Sequence, residues 1–295
     1  MFNSKFSMVF STLLTAFLLV IFLAAPSEAA QIKRFKSDLI KITSPAVNNS
    51  ECCQFITIEG TSSLNELWLC LRGPQGEITT YPVNVCAGKF SAKIWLRFGV
   101  GKYTVWAGDN NRKFDGRIRF DVQNTSSENY LALTPSGFVN SKDPKIIAIA
   151  SSITNDKMTM MEKSKAVHDW VTDHITYDIN AYYSGIIGMN TASAVIESSK
   201  GTCRDYSFVY AAIARAAGIP TKVVYGNALN SRTKEFEKHA WNQSLIDGVW
   251  VNVDTTWDAG YINNKKFIAA NINAYFNADT EKFNKTHYLT ATTLY

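Results

Sequence analysis

A cysteine at the predicted start of a helix constrains this chain more than any other feature. The segment Gly201–Ser207 reads Gly-Thr-Cys-Arg-Asp-Tyr-Ser and leads into a run with apolar residues at helical spacing. Gly218 and Pro220 end that run, as is typical of a helix C-terminus. Unpaired N–H groups and the positive dipole end at a helix N-terminus stabilise a thiolate. Cys203 is therefore a candidate nucleophile, with a buried structural thiol as the alternative.

A predicted β-hairpin follows this helix. The dipeptide Asp247–Gly248 separates two β-prone runs and is a strong signal for a two-residue turn. Counting outward from that turn pairs Trp241 with Asp254. The same register pairs His239 with Thr256, so His239 becomes a diagonal neighbour of Asp254, roughly 7 to 8 Å away between Cα atoms and within hydrogen-bonding reach. The hairpin thus predicts a general base and the carboxylate that orients it.

Four motifs resemble the core of the transglutaminase-like superfamily, in the order Cys, His, Asp. They are Gly201–Ser207, Arg215–Pro220, His239–Asn242 and Trp250–Asp258. Three upstream segments are similar to the region that precedes this core in bacterial members, namely Tyr130–Ser136, Val167–Val171 and Ile175–Asp178. The resemblance extends over residues 130 to 260 approximately.

The resemblance implies a papain-like α+β catalytic domain and a role for each matching residue. Cys203 would be the nucleophile, His239 the general base and acid, and Asp254 the orienting carboxylate. Trp241 and Tyr177 would lie in the substrate or oxyanion neighbourhood, although packing is the simpler role for a tryptophan on a hairpin. An acyl-thioester would form from a carboxamide or peptide carbonyl and pass to an amine or to water. The alternatives are a cysteine peptidase or amidase, and a non-catalytic binding scaffold.

No metal or other cofactor is expected, because the sequence has neither a Cys-x-x-Cys nor a His-x-x-x-His pattern. The other three histidines carry no predicted catalytic role. His168 and His174 fall on or beside the apolar stripe of a predicted helix and are expected to be structural. His287, in the C-terminal part of the chain, has no partner that the sequence identifies.

The first 30 residues are interpreted as an export signal. Lys5 precedes the apolar run Leu13–Ala25, and the small residues of Pro26–Ala30 offer a cleavage site. The predicted location is secreted or at the cell surface, with an uncleaved N-terminal anchor as the alternative. The net charge of +5 suits an anionic cell wall but is too small to indicate nucleic-acid binding. The expected partners are extracellular or cell-wall-associated proteins or peptides, without stable membrane insertion once the signal is cleaved.

Residues 31–125 are predicted to form a separate β-sandwich of immunoglobulin-like type. Alternating runs and Gly-rich turns give about seven short strands. Cys52, Cys53, Cys70 and Cys86 lie in this region, where disulfides or ordinary thiols are both compatible with export. Cys203 is left as the single thiol of residues 126–295, the predicted transglutaminase-like domain.

The second domain begins after a polar linker and is expected to be α+β. Thr159 and Glu162 form a capping-box pattern before one predicted helix, and Pro144 suits the first turn of another. Beyond Asp258 the chain is rich in aromatic residues and asparagine. We expect that segment to pack over the domain edge, with a lid over the acyl-donor cleft as the alternative.

Overall fold

A computed structural model describes residues 35–127, 131–186, 188–230 and 233–292. The predicted export signal and Tyr130 lie outside these residues. Among the helices of the described ranges, none is both long and apolar enough to cross a membrane.

The described residues of the N-terminal half form eight strands in two sheets. The strands are β1 (Ile40–Ser44), β2 (Ser50–Cys52), β3 (Phe55–Ser62), β4 (Glu66–Arg72), β5 (Ile78–Asn84), β6 (Lys89–Trp95), β7 (Gly101–Gly108) and β8 (Ile118–Asn124). One sheet has the order β1-β3-β6 and the other β2-β8-β7-β4-β5. Inward residues of both sheets, including Ile58, Leu69 and Phe120, share one apolar core. The predicted β-sandwich is confirmed, while its immunoglobulin-like character stays a prediction.

All cysteines of the chain are free thiols in this structure. Cys70 is buried, Cys52 is half-buried, and Cys53 and Cys86 are exposed. Burial raises the pKa of the Cys70 thiol, and burial together with the neighbouring Cys53 raises the pKa of Cys52. These thiols are thereby less prone to ionise.

The second half contains seven helices among its described residues. They are α1 (Pro144–Ile153), α2 (Met160–His174), α3 (Ile179–Ser184), α4 (Ala192–Ser198), α5 (Cys203–Ala216), α6 (Thr255–Ala259) and α7 (Thr280–Asn284). Local signals set their starts. Asp143 caps α1 by accepting the N–H of Lys145, with Pro144 in the first turn. Thr159 and Glu162 form the predicted capping box at α2.

A four-stranded antiparallel sheet faces these helices. The strands of this half are β9 (Thr176–Tyr177), β10 (Lys200–Gly201), β11 (Thr221–Leu229), β12 (Phe236–Ile246), β13 (Val249–Val253), β14 (Gly260–Asn263), β15 (Lys266–Ala269) and β16 (His287–Thr292). The main sheet has the order β13-β12-β11-β16, while β9 pairs with β10 and β14 with β15. Helix α5 packs against β12 and β11, and its buried residues lie in the main core. This arrangement is the predicted α+β fold.

Two buried arginines join the halves at the segment that follows the linker. Arg97, just beyond β6, donates to the hydroxyl of Thr134 at 3.3 Å and to the carbonyl of Leu131 at 2.5 Å. Arg215 near the end of α5 donates to the carbonyl of Thr134 at 3.0 Å and to that of Thr221 at 2.8 Å. Burial lowers the pKa of Arg97 to about 10. The two guanidinium groups therefore hold one segment from both sides.

Candidate active site

The start of α5 is fixed by hydrogen bonds around its N-cap, Thr202. The carboxylate of Asp205 accepts the backbone N–H of Thr202 at 2.8 Å and its hydroxyl at 3.0 Å. A Cβ on Gly201 would lie 2.4 Å from Cβ of Asp205, so this close approach requires glycine. Cys203 is the first residue of α5 and is half-buried. The sequence-predicted placement of this thiol at a helix N-terminus is confirmed.

The body of α5 is held rigidly by polar contacts as well as by the core. The hydroxyl of Tyr210 bonds to Ser164 of α2 at 2.7 Å and to Ser244 of β12 at 3.1 Å. Asn242 of β12 donates to the carbonyl of Ser207 at 3.0 Å. The helix that presents the thiol is therefore tied directly to the strand that carries the histidine.

The hairpin between β12 and β13 has the predicted two-residue turn. Asp247 and Gly248 both have positive φ, and Ile246 pairs with Val249. Regular pairing continues outward to Asn242 opposite Val253 and then stops. The turn and the register of this ladder are confirmed.

The two outermost predicted pairs, Trp241 with Asp254 and His239 with Thr256, do not form. Asp254 leaves the strand and caps α6 instead, because its Oδ1 accepts the N–H groups of Thr256 and Trp257 at 3.0 and 3.1 Å. Two cap bonds replace the ladder bonds that a longer strand would supply. The chain bends at this point, yet the Asp254 side chain still reaches His239.

His239 links the thiol to the carboxylate. Its Nε2 lies 2.7 Å from Oδ2 of Asp254, and Cys203 lies close enough to the same ring to help raise its pKa, which leaves Nδ1 as the nitrogen available to the thiol. Burial disfavours the imidazolium, but the charge and hydrogen bond of Asp254, with the contact to Cys203, outweigh it and raise the pKa of His239 to about 10. Asp254 and Cys203 together thus favour the imidazolium form of His239.

Asp254 is fully buried and receives four donors. In addition to the two cap N–H groups on Oδ1, its Oδ2 contacts Nε2 of both His239 and His287, the latter at 3.1 Å. Burial alone would raise the pKa of this carboxyl, but the two histidines hold it well below its usual range. An ionised carboxylate only accepts, so both Nε2 atoms carry the proton.

His287 was not predicted to take part in this site. It stands on β16, 33 residues after Asp254, and is paired in the sheet with Ala228 of β11. No local motif marks it, because its contact to Asp254 is created by the addition of β16 to the far edge of β11. Only its aromatic surroundings in the sequence, including Phe283 and Tyr288, could have suggested a packed position.

Aromatic rings enclose the histidine pair. The Trp241 ring lies 6.1 Å from His239 between centroids and is 2% exposed, in a small cluster with Val224 and Phe283. A Cβ on Gly226 would come within 2.5 Å of this indole. The Trp241 Nε1 has no hydrogen-bond partner within the described residues. This indole therefore packs beside the histidines rather than lining open space.

Tyr177 lies on the other side of the thiol. It stands on β9, opposite Gly201 of β10, and is half-buried. Burial, together with the nearby Cys203, raises the pKa of the Tyr177 phenol. Next to it, the Tyr182 hydroxyl donates to Glu237 at 2.9 Å, and burial with this contact raises the pKa of Tyr182 to about 12. Both phenols stay protonated and can donate.

A second buried histidine–aspartate pair includes Asp258, four residues after Asp254. Nε2 of His168 is 2.9 Å from Oδ2 of Asp258, and its Nδ1 is 2.9 Å from Oδ1 of Asp169. Oδ1 of Asp258 also accepts the backbone N–H groups of Ala274 and Tyr275 at 2.7 and 3.1 Å. This pair therefore anchors the chain beyond α6 to α2.

One set of potential metal ligands occurs among the described residues. The ligand atoms of His239, Asp254 and His287 lie within 4.8 Å of one another. In the observed arrangement both histidine nitrogens use their protons to bond the carboxylate, so a metal ion would have to replace both hydrogen bonds.

The region that contains this site matches a known family. Residues 147–255 match the family model of the transglutaminase-like superfamily, and this stretch includes Cys203, His239 and Asp254. Human kyphoscoliosis peptidase is 26% identical over 149 residues, which cover 48% of this chain and 22% of that protein. The chain thus aligns with about a fifth of the curated relatives that it matches.

Solved structures overlap with the chain only in part. A chain described as a cysteine protease from Cytophaga hutchinsonii is 16% identical, with a TM-score of 0.38, over 77% of this chain and 69% of its own. Red sea bream transglutaminase is 10% identical, with a TM-score of 0.30, over 81% of this chain and 52% of its own. The family model and the aligned relatives carry the assignment: residues 147–255 form a core domain of the transglutaminase-like superfamily.

Proposed function

We propose that this chain is an exported transglutaminase-like thiol enzyme that forms an acyl-thioester on Cys203. The observation that supports this most directly is the position of Cys203 beside His239, whose Nε2 is bonded to the buried Asp254. This arrangement supplies a nucleophile, a proton carrier and a carboxylate that orients the carrier, as acyl transfer requires.

The first half of the reaction releases an amine. In this proposal Nδ1 of His239 takes the proton of the Cys203 thiol, and the sulfur attacks as a thiolate. It attacks the carbonyl carbon of a carboxamide or peptide, a C–S bond forms, and the carbonyl electron pair moves onto oxygen. When the oxyanion collapses, the C–N bond breaks and Nδ1 gives its proton to the leaving amine. The acyl group stays on Cys203 as a thioester.

Two donors support the oxyanion in this proposal. The backbone N–H of Cys203 stands in the first turn of α5, where N–H groups have no partner within the helix. The Tyr177 phenol is the second, since it lies beside the thiol and its raised pKa keeps the proton available. Trp241 takes a packing role behind His239.

The second half transfers the acyl group to an amine or to water. The acceptor attacks the thioester carbon, its proton passes to Nδ1 of His239, and the sulfur leaves as the thiolate. An amine acceptor gives crosslinking or tailoring, whereas water gives amidase or peptidase activity. The hydrolytic alternative has support in the name of the human relative, a peptidase. We propose extracellular or cell-surface protein or peptide as the substrate, which rests on the export signal predicted from the sequence.

The test uses the reduced protein, a glutamine-containing peptide as acyl donor, and a primary amine that is present or absent. We expect ammonia release and an acyl-enzyme adduct by intact mass, both abolished by Cys203→Ala. Cys86→Ala, which removes an exposed thiol of the β-sandwich, is the matched control and should behave as wild type. Equal product with and without amine would contradict transfer in favour of hydrolysis. If Cys203 takes up no acyl group from carboxamide or peptide donors, a binding scaffold is the better interpretation.

A further inference from the structure

We propose that His287 is a positioning residue of this active site, which makes the C-terminal strand part of the catalytic apparatus. The proposal deepens the proposed function and rests on it. It starts from the carboxylate of Asp254, which has room for about four donors. All four positions are filled, and His287 supplies one of them through Nε2 at 3.1 Å.

Each carboxylate oxygen of Asp254 is bonded by two of the four donors. The N–H groups of Thr256 and Trp257 hold Oδ1 and fix the direction of the carboxyl group. His239 and His287 share Oδ2. With both lone pairs of Oδ2 occupied, the carboxylate can neither rotate nor take a proton from His239 without losing a donor. Asp254 therefore stays ionised while His239 exchanges protons with the thiol.

The imidazole of His287 is itself held in one orientation. Its Nδ1 contacts the Thr286 hydroxyl at 2.9 Å, and its ring stacks on Phe283 of α7 with centroids 4.0 Å apart. Trp257 covers the ring at 4.5 Å. These contacts hold the ring in an orientation in which Nε2 points toward Asp254. A histidine kept only for packing would not need its second nitrogen aimed at a buried anion.

His287 comes later in the sequence than the residues that match the family model. It lies on β16, outside the stretch 147–255 that matches the transglutaminase-like core. The site is thus completed by a residue that the matched core does not contain. Without this donor, Oδ2 of Asp254 would be a partly unpaired buried charge, and the orientation of His239 would be less well defined.

Three substitutions separate the hydrogen bond from the packing. His287→Gln keeps an N–H donor at the same number of bonds from Cα as Nε2, whereas His287→Asn keeps the same amide but falls short of Asp254. His287→Phe keeps the ring against Phe283 and removes the donor. His174→Gln is the matched control, because that histidine is exposed at the end of α2 and contacts Trp170 of its own helix through the backbone carbonyl and the ring.

The readouts are the alkylation rate of Cys203 by iodoacetamide, kcat and KM for acyl transfer, and the Nε2–H resonance of His239 in proton NMR. We expect His287→Asn and His287→Phe to lower alkylation and kcat roughly ten- to hundredfold, the factor for one hydrogen bond to a charged group, with KM little changed. The His239 resonance should shift in both. His287→Gln should stay within about threefold of wild type, and His174→Gln should match it.

Two results would overturn the proposal. One is a folded His287→Phe protein with wild-type alkylation and an unmoved His239 resonance. The other is a folded His287→Gln protein more than tenfold slower than wild type, a result that can be obtained even if the other two variants fail to fold. Failure of the proposed function looks different: the wild type would form no acyl-enzyme, while the His239 resonance would still report whether His287 holds Asp254.

Discussion

Two buried histidine–aspartate pairs lie one helical turn apart at α6, and they differ in what the histidine meets on its other side. His239 bonds Asp254 through Nε2 and faces the Cys203 thiol, whereas His168 bonds Asp258 and faces the Asp169 carboxylate. The first pair therefore ends in an ionisable nucleophile. The second ends in the carboxylate of Asp169, which is not a nucleophile in the proposed mechanism.

The two carboxylates differ in their histidine partners. Each accepts two backbone N–H groups, but Asp254 is bonded by two histidines and Asp258 by one. Through the N–H groups of Ala274 and Tyr275, Asp258 fastens the segment that continues toward β16. A buried histidine–aspartate pair is thus no sign of catalysis by itself, because the third partner decides its role.

The largest expected effect comes from Asp254→Asn. The amide can present an N–H toward Nε2 of His239, which favours the wrong tautomer for a base beside Cys203. We expect kcat to fall about 10³- to 10⁴-fold, as for the corresponding change in a hydrolase triad. Steady-state kinetics measure this loss, with circular dichroism to verify the fold. Activity within tenfold of wild type would remove Asp254 from the proposed catalytic set.

Asp258→Ala should reverse this pattern. It removes the acceptor of the N–H groups of Ala274 and Tyr275 and the partner of the buried His168. We expect the free energy of unfolding in urea to fall by roughly 3 kcal/mol, with kcat of the folded protein within about threefold. A large kcat loss without a stability loss would contradict the division between the pairs.

The pH dependence of stability gives a smaller but directional test. The pKa of His239 is raised in the folded protein to about 10, against about 6.5 when unfolded. Its contribution to stability is therefore complete below pH ~6.5 and is lost as pH rises toward about 10, at no more than about 1.4 kcal/mol per pH unit. Urea unfolding of wild type and His239→Gln at several pH values should converge over this interval. A gap that widens with pH would contradict the assigned charge.

Local sequence signals predicted the parts of the site that depend on neighbouring residues. The Asp247–Gly248 turn, the helix start at Cys203 and the Thr159–Glu162 capping box each depend on a few adjacent side chains, and all three form. Continued pairing beyond Val253 was wrong, because the capping preference of Asp254 outweighed the ladder.

Contacts between residues far apart in the chain could not be predicted from the sequence. His168 meets Asp258 across 90 residues, and His287 meets Asp254 only because β16 adds to β11 rather than to β13. Hydrophobic periodicity predicts that such strands exist, but it does not give the order of the strands in the sheet. The role of a histidine at a sheet edge therefore has to be read from the topology.

The order of strands in the main sheet also bears on how the protein is made. During synthesis, β11 and β12 leave the ribosome before β16, and until β16 arrives the far edge of β11 is a free row of backbone N–H and C=O groups. Nascent chains that have not yet reached residue 287 therefore present a strand that a second nascent chain can join. Pairing of β16 with that edge and delivery of His287 to Asp254 occur in the same event, so the step that covers β11 also completes the set of donors on the carboxylate.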